Sequence, residues 1–217
     1  MNIGIDSRLL HAPTGIGRYT RSLFCEYTRK GYVQNDQVVL FADAPLFSEQ
    51  QQPPDNVTAV IARCQRRILW TNWHLPPLLQ RHHIDVYHGV CNFELPIRKV
   101  CRYVVTIHDL VPLFFPELVP KKHLLFFRLF MKRVAHTADV IITDSEHSKE
   151  DIIEHLTVPA EKIRVIYLGY QSQYSRIQEQ QQISDVLARY RIRQPYLLFV
   201  GVIEPKKNLE RLVEAYM

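Results

Sequence analysis

The sequence has 217 residues, of which 47% are hydrophobic and 23% are charged, and its formal net charge is +5 at pH 7. This composition predicts a soluble globular protein with a substantial core, and no apolar run approaches the roughly 18 to 20 residues that a membrane-spanning helix needs. The N-terminus enters a strand-like stretch directly, so we expect no secretory signal and predict a cytoplasmic location. The positive charge favours an anionic partner and leaves open a nucleotide phosphate, a lipid head group or nucleic acid.

Short β-branched and aromatic runs alternate with longer helical patterns along the chain. The runs predict strands over 2–6, 37–42, 56–62, 84–89, 102–108, 139–144, 162–168 and 196–201. The helical patterns lie near 15–30, 69–83, 119–138, 146–156, 180–191 and 207–217. Because strands separated by helices pair in parallel through crossovers, the sequence predicts an α/β fold with a doubly wound parallel sheet of Rossmann type.

A change in composition after residue 170 predicts the domain organisation. The glutamine-rich stretch 171–182 has no apolar cluster and is typical of a linker. We therefore predict one domain over 1–170, a linker over 171–194 and the start of a second domain over 195–217. A single strand and helix cannot bury both of their apolar faces alone, so this last part either packs on the first domain or belongs to a second domain that is incomplete here.

The cysteines and histidines do not form a metal-binding pattern. Cys25, Cys64, Cys91 and Cys101 are far apart, and none belongs to a CxxC motif or pairs with a nearby histidine at zinc-ligand spacing. We predict reduced, mostly structural cysteines and no metal site.

A glycine-bearing loop, "HAPTGIGRYTRSL" over 11–23, precedes the first predicted helix. A dinucleotide-binding turn is one interpretation, but Gly15 comes nine positions after Asp6, Thr20 replaces the third glycine, and Arg18 fills a variable position. A second interpretation is that the glycines serve backbone geometry alone. A third is that helix-start N–H groups and the Arg18 guanidinium bind an anion.

Several segments in the same order carry a resemblance to a known family. They are "IGIDSRLL" with "TGIGRYTRSL", "DVYHGVCNFELP" (85–96), "VVTIHDLVPLFFPE" (104–117), "ADVIITDSEHSKEDI" (138–152), "KIRVIYLGY" (162–170) and "FVGVIEPKKNLERLVEAY" (199–216). Together they resemble the retaining glycosyltransferases of family 4, which have the GT-B fold, and within them the mannosyl- and rhamnosyltransferase-like members that build bacterial surface polysaccharides.

The resemblance implies an acceptor-side N-terminal domain followed by the first βα unit of a truncated donor-binding domain. It implies a nucleotide-sugar as co-substrate, a glycan or lipid-linked acceptor, no further cofactor, no metal and no nucleic acid. The family's paired glutamates, seven residues apart in the second domain, would fall beyond Met217. We therefore expect the chain alone to bind nucleotide-sugars poorly and to show little transfer.

The resemblance also implies site residues, most of them just past predicted strands. His108, in "TIHDL", is the expected catalytic residue, in contact with the donor sugar and stabilising charge in an oxocarbenium-like transition state. For Asp144 we favour a helix-capping role. Tyr87 and His88 are further candidates for acceptor contact. The expected substrate-binding residues are Gly15, Ile16, Gly17, Arg18, Asn92, Asp109 and Ser145.

In the second domain, the family clamps the donor diphosphate with a basic residue after the first strand and a lysine before the first helix. Lys207 matches that lysine and Lys206 is beside it, whereas Val202 stands where many relatives carry arginine or a hydroxyl residue. Helix-start N–H groups next to ammonium groups make a suitable anion site. A solvated lysine pair without a ligand is the alternative.

The helix over 121–138 has two kinds of surface. A broad apolar stripe is expected to pack on the sheet, while Leu125 and Leu129 lie among cations. The cations are Lys121, Lys122, Arg128, Lys132 and Arg133. This pattern is explained by packing against a loop or by peripheral contact with an anionic membrane. The second possibility also supports a rival function, a non-catalytic membrane-surface or carbohydrate-binding module derived from such an enzyme.

Overall fold

The computed structural model describes residues 1–29, 36–48, 53–64, 66–170 and 174–217. They form two compact units, Met1–Leu168 and Gly169–Met217. Residue 30, at the end of the first predicted helix, and residues 171–173, at the start of the predicted linker, lie outside the described residues. The division into a domain, a linker and a second domain stays a prediction.

The first unit is built on a seven-stranded, all-parallel sheet in the order β3-β2-β1-β4-β5-β6-β7. Its strands are β1 (Asn2–Asp6), β2 (Gln37–Ala42), β3 (Val57–Ile61), β4 (Val86–Gly89), β5 (Arg102–Thr106), β6 (Val140–Thr143) and β7 (Ile163–Val165). The chain first moves outward from β1 to β3 and then returns to place β4 on the other side of β1. The predicted doubly wound parallel sheet is confirmed, with its switch in strand order between β1 and β4.

Helices connect the strands and cover the sheet. In the first unit they are α1 (Gly15–Arg29), α2 (Arg67–Leu69), a π-helical segment (Trp70–His74), α3 (Leu75–Arg81), α4 (Val111–Phe114), α5 (Lys121–Thr137) and α6 (Glu146–Leu156). Short 3-10 turns occupy Pro116–Leu118 and Ala160–Lys162. In the described part of the chain, no helix is long and apolar enough to cross a membrane.

Both faces of the sheet are buried, as the continuous apolar strands require. In β2, Val39 and Phe41 belong to one hydrophobic cluster, while Val38 and Leu40 belong to the other. This alternation follows from the period of two in a strand, which sends neighbouring side chains to opposite faces. Helix α5 contributes Phe127 to the first cluster, so the predicted packing of its apolar stripe is confirmed.

The second unit contains α7 (Gln180–Arg189), a 3-10 turn (Pro205–Lys207) and α8 (Leu209–Tyr216). The predicted strand over 196–201 is wrong, because no strand is found between residues 174 and 217. A strand must pair its N–H and C=O groups with a neighbouring strand, and the described residues of this unit offer none.

Candidate functional site

The carboxyl ends of β1, β4, β5 and β6 lie along one edge of the sheet, next to its switch in strand order. In open α/β sheets this is where ligands bind. Polar side chains concentrate here: Asp6 ends β1, Thr106 ends β5, and His108 and Asp144 follow β5 and β6. The candidate site is therefore this strand-end edge, and the predicted residue His108 lies on it.

His108 is held through both nitrogens of its ring. Nδ1 lies 2.7 Å from Oδ2 of Asp144, and Nε2 lies 3.1 Å from the backbone oxygen of Val90. Both neighbours are acceptors, so the geometry fits a ring protonated at both nitrogens. Burial lowers the pKa of His108, but the hydrogen bond and the negative charge of Asp144 outweigh it and raise that pKa above its ordinary value.

The predicted capping role of Asp144 is wrong, because the next residue fills it. Ser145 is the N-cap of α6, where its Oγ accepts a hydrogen bond from the Ser148 backbone N–H at 3.1 Å. A serine at this position satisfies one of the free N–H groups of the first helical turn. Asp144 is thereby left to face His108, 21% exposed and with its Oδ1 lacking a partner within the described residues.

The backbone of the His108 loop is fixed by side chains from two neighbouring elements. Asn92, after β4, accepts from the His108 N–H and donates to the Asp109 carbonyl, both at 3.4 Å. Ser148 of α6 donates to the His108 carbonyl at 3.3 Å. The predicted substrate-binding residues Asn92, Asp109 and Ser145 are thus brought together around His108. Their contact with a substrate stays a prediction.

Tyr19, Thr106 and His88 form a second group of polar residues next to the His108 ring. The Tyr19 ring of α1 meets the His108 ring edge-on at 4.9 Å, and its hydroxyl lies 3.0 Å from Thr106 Oγ1. Thr106 Oγ1 also lies 2.8 Å from Nε2 of His88. Burial, with the His108 charge beside it, lowers the pKa of His88 to about 4, so His88 is neutral near pH 7.

Two residues predicted to contact an acceptor are instead inside the protein. Tyr87 and His88 are both buried, and the Tyr87 hydroxyl donates to Asp6 at 3.1 Å. The prediction of acceptor contact is wrong because both residues belong to β4 and pack within the sheet. Tyr19 was missed, since no sequence motif marked it apart from the other residues of α1.

Four charged residues form a cluster, here called the ion cluster, at the ends of β1 and β4. Arg8 forms a double contact with Asp6, through Nε at 3.1 Å and through Nη2 at 2.6 Å, and its guanidinium lies 4.3 Å from the Trp70 ring centre. Glu94 lies 3.5 Å from Arg8 and 3.1 Å from Arg67. Burial and the Asp6 charge raise the pKa of Glu94 to about 7, against the opposing effect of both arginines. Sequence patterns gave no sign of this cluster, because Arg67 and Glu94 are far in the chain from Asp6 and Arg8.

Close packing explains why one of the two positions in the glycine loop is a glycine. A Cβ on Gly17 would lie 2.1 Å from the Ala12 carbonyl oxygen, whereas a Cβ on Gly15 would meet nothing within 4 Å. The Gly17 N–H donates to Thr14 Oγ1 at 3.1 Å. Backbone geometry therefore explains Gly17 and leaves Gly15 unexplained.

Two other members of the glycine loop can be located. The Ile16 carbonyl accepts from Thr20 Oγ1 at 2.9 Å. Arg18 is exposed, and its side chain forms no hydrogen bond or ion pair with the part of the chain that the structure describes. A role of Gly15, Ile16, Gly17 and Arg18 in binding phosphate or acceptor stays a prediction.

In the second unit, the two predicted diphosphate-binding lysines lie on the 3-10 turn before α8. Lys206 Nζ is 3.3 Å from Glu204 Oε1, and Lys207 is exposed. Helix α8 has no side-chain cap at its start. Their role as a diphosphate clamp stays a prediction.

All four cysteines are free. Over residues 1–29, 36–48, 53–64, 66–170 and 174–217, no group of three or more His, Cys, Asp or Glu side chains is placed to hold a metal ion.

Comparison with known proteins adds a family and a fold. The sequence model of Glycosyltransferase Family 4 matches residues 13–173. The chain is 33% identical over 132 residues to the O-antigen chain mannosyltransferase B of Escherichia coli, covering 60% of this chain and 34% of that protein. It is 26% identical over 130 residues to the serotype-specific mannosyltransferase WbdA of Escherichia coli, covering 57% of this chain and 15% of that protein. The chain thus spans about a third of the length of the first relative and 15% of the second.

Among solved structures, the fold is similar to that of HepE from Anabaena in complex with UDP-glucose. The TM-score is 0.54 at 19% identity, over 88% of this chain and 50% of HepE. At this identity the likeness concerns the fold alone.

Proposed function

Because the chain belongs to glycosyltransferase family 4, we propose that it provides the strand-end site of a sugar-transferring enzyme of surface polysaccharide synthesis. The sugar is mannose- or rhamnose-like, the donor is a nucleotide-sugar, and the acceptor is a glycan or a lipid-linked glycan. The observation that carries the proposal is the histidine loop at the strand-end edge, within a region similar to O-antigen mannosyltransferases. We place the reaction in the cytoplasm.

His108 is the proposed residue at the reacting end of the donor. It lies at the carboxyl end of β5, in a loop that Asn92 and Ser148 hold in place, and its side chain is 15% exposed. A polar group held in advance in this way costs little reorganisation when a substrate arrives. The donor diphosphate is assigned to Lys206 and Lys207, and the glycine loop with Arg18 to phosphate or acceptor.

A chimera tests this proposal. Residues 1–168 would replace the aligned segment of the O-antigen chain mannosyltransferase B of Escherichia coli, and transfer from nucleoside diphosphate sugars would be followed by mass spectrometry of the acceptor. We expect transfer of mannose or a related sugar. A folded chimera without transfer, beside an active parent enzyme, would remove the proposed function.

In the chimera, His108→Ala separates chemistry from folding. If His108 acts in the transition state, kcat should fall by roughly 10² to 10³ while KM changes little. His147→Ala is the matched control, since His147 is 84% exposed on α6. A nearly normal kcat in the folded His108→Ala protein would make His108 a structural residue.

We further propose peripheral contact of α5 with an anionic membrane, which would bring the site to a lipid-linked acceptor. The supporting observation is that Leu125 and Leu129 are 59% and 63% exposed on a helix that carries five lysines and arginines. Apolar side chains among cations suit the boundary between head groups and acyl chains.

Co-sedimentation with liposomes tests the membrane contact. Binding should rise with the anionic lipid content and fall with salt as the Debye length shrinks from about 10 Å to about 3 Å. Replacing Leu125 and Leu129 by serine should weaken it, whereas the same change at Leu197 and Leu198, exposed in the second unit, should not. Equal binding to neutral vesicles would remove this role.

A further inference from the structure

Asp144 lies where it can determine both the orientation and the charge of His108. Its Oδ2 is 2.7 Å from Nδ1, a distance typical of a hydrogen bond between charged partners. The Val90 carbonyl faces the other nitrogen at 3.1 Å. A neutral imidazole has only one N–H and would leave one of these two acceptors without a donor.

We propose that Asp144 is a positioning residue that keeps His108 a cation with a fixed ring orientation, and that His108 therefore receives an anionic oxygen of the substrate. For its ligand, this inference rests on the proposed function. Among nucleotide-sugar oxygens, the negatively charged ones belong to the diphosphate, so the ligand class is a diphosphate oxygen.

The charge also limits what His108 can do. A cation next to a sugar that is gaining positive charge is unfavourable, whereas a cation next to a phosphate oxygen is favourable. A diphosphate oxygen would take or share the Nε2–H that the Val90 carbonyl now accepts. This places His108 next to the phosphate of the bond that breaks.

The other groups near His108 act more weakly on its charge, and the Asp109 carboxylate raises the pKa of His108 less than Asp144 does. Asp109 is in the same loop, but its Oδ1 accepts from the Val111 N–H at 3.2 Å. Tyr19 meets the ring edge-on, and His88 is neutral near pH 7. Asp144 is the carboxylate whose oxygen is within hydrogen-bond distance of the His108 ring in the described residues.

Nitrogen NMR of the histidine rings of the 217-residue chain tests the inference without any transfer assay. His108→Gln assigns the signal. At pH 6 we expect both His108 nitrogens to be protonated in the unaltered chain, because the pKa of His108 is raised above the ordinary histidine value. In Asp144→Asn the pKa of His108 should fall by about 1 to 3, and Asp144→Glu should restore part of it. Asp109→Asn, the same change one residue from His108, is the matched control.

The role of Asp144 and the proposed function are tested separately. A neutral His108 ring in the unaltered chain, or an unchanged titration in Asp144→Asn, would overturn the role of Asp144. If the chimera transfers no sugar although this titration behaves as expected, the proposed function fails and the role of Asp144 stands.

Inorganic pyrophosphate is the probe for the anionic ligand. Its addition should move the His108 ring signals in a saturable way and leave those of exposed His147 unchanged. In Asp144→Asn the apparent affinity should fall about tenfold, since the ring then carries less positive charge at the same pH. No response of His108, or equal affinity in both proteins, would overturn the assignment to an anionic oxygen.

Discussion

Two polar groups share the strand-end edge of the sheet but differ in how far they are closed to water. In the ion cluster, the side chains of Asp6, Arg8 and Glu94 are 0%, 7% and 1% exposed, and Arg67 is the member that reaches solvent, at 40%. At the next strands, His108 and Asp144 are 15% and 21% exposed. Charges that are fully buried and paired mainly hold the structure, whereas a charged pair that keeps contact with solvent remains available to a ligand.

The largest expected effect is in the ion cluster. Arg8→Ala should lower the free energy of unfolding by about 3 to 5 kcal/mol, because it leaves the buried Asp6 carboxylate without its main partner and removes one of the two arginines near Glu94. Denaturant unfolding at pH 7 measures this loss. Arg18→Ala removes an exposed arginine and should cost less than about 0.5 kcal/mol. Similar small losses in both variants would mean that the ion cluster does not hold the edge together.

The second prediction concerns the pH dependence of stability that Glu94 of the ion cluster causes. The pKa of Glu94 is raised to about 7, so the folded protein binds this proton more tightly than the unfolded chain does. Stability should therefore fall as the pH rises from about 4.5 to about 7, by roughly 1 to 3 kcal/mol. Glu94→Gln should remove this part of the pH dependence in unfolding curves taken across that range. If the free energy of unfolding depends on pH in the same way in Glu94→Gln, another group causes that dependence.

The histidine pair should respond at higher pH. The pKa of His108 is raised, so its contribution to stability is complete below the ordinary histidine value of about 6.5 and is lost as the pH rises through the folded value. Asp144→Asn should thus cost about 1 to 2 kcal/mol at pH 6 and less at pH 9. Unfolding at both pH values checks this. A cost that grows with pH would contradict the charged pair.

The smallest effect is expected at the support of the histidine ring. Tyr19→Phe keeps the edge-on ring contact but removes the hydroxyl that meets Thr106, at a cost of about 1 kcal/mol. Tyr27→Phe on the same helix is the control, because no described residue forms a hydrogen bond with the Tyr27 hydroxyl. Equal losses at both positions would mean that the Thr106 contact contributes nothing.

The parallel sheet could be predicted because each strand is a local pattern of apolar residues bounded by helices. The position of His108 could be predicted for a similar reason, since a residue directly after an apolar strand lies at the edge where such sheets bind ligands. Its catalytic role stays a prediction. The strand over 196–201 could not be judged from its own residues. Its apolar pattern is strand-like, but a strand depends on a neighbour that the pattern does not contain.

The ion cluster and the contact between Asp144 and His108 could not be predicted, for a different reason. Asp6 and Glu94 are 88 positions apart, and only the placement of β4 beside β1 brings them together. For Asp144 and Ser145, both side chains are good helix caps, so composition could not choose between them. The choice is made by His108, which lies 36 residues earlier in the chain and pairs with Asp144.

The close approach of Gly17 to the Ala12 carbonyl has a consequence for the cost of binding. Arg21 also bonds to the Leu10 and Ala12 carbonyls, at 2.8 Å and 3.3 Å, so the loop after β1 is fastened to α1 at several points. A loop held in this way has little conformational freedom left to lose when a ligand arrives. Any ligand of this loop would therefore meet a surface that is already formed. The loop would select ligands by their shape and would not need to close around them.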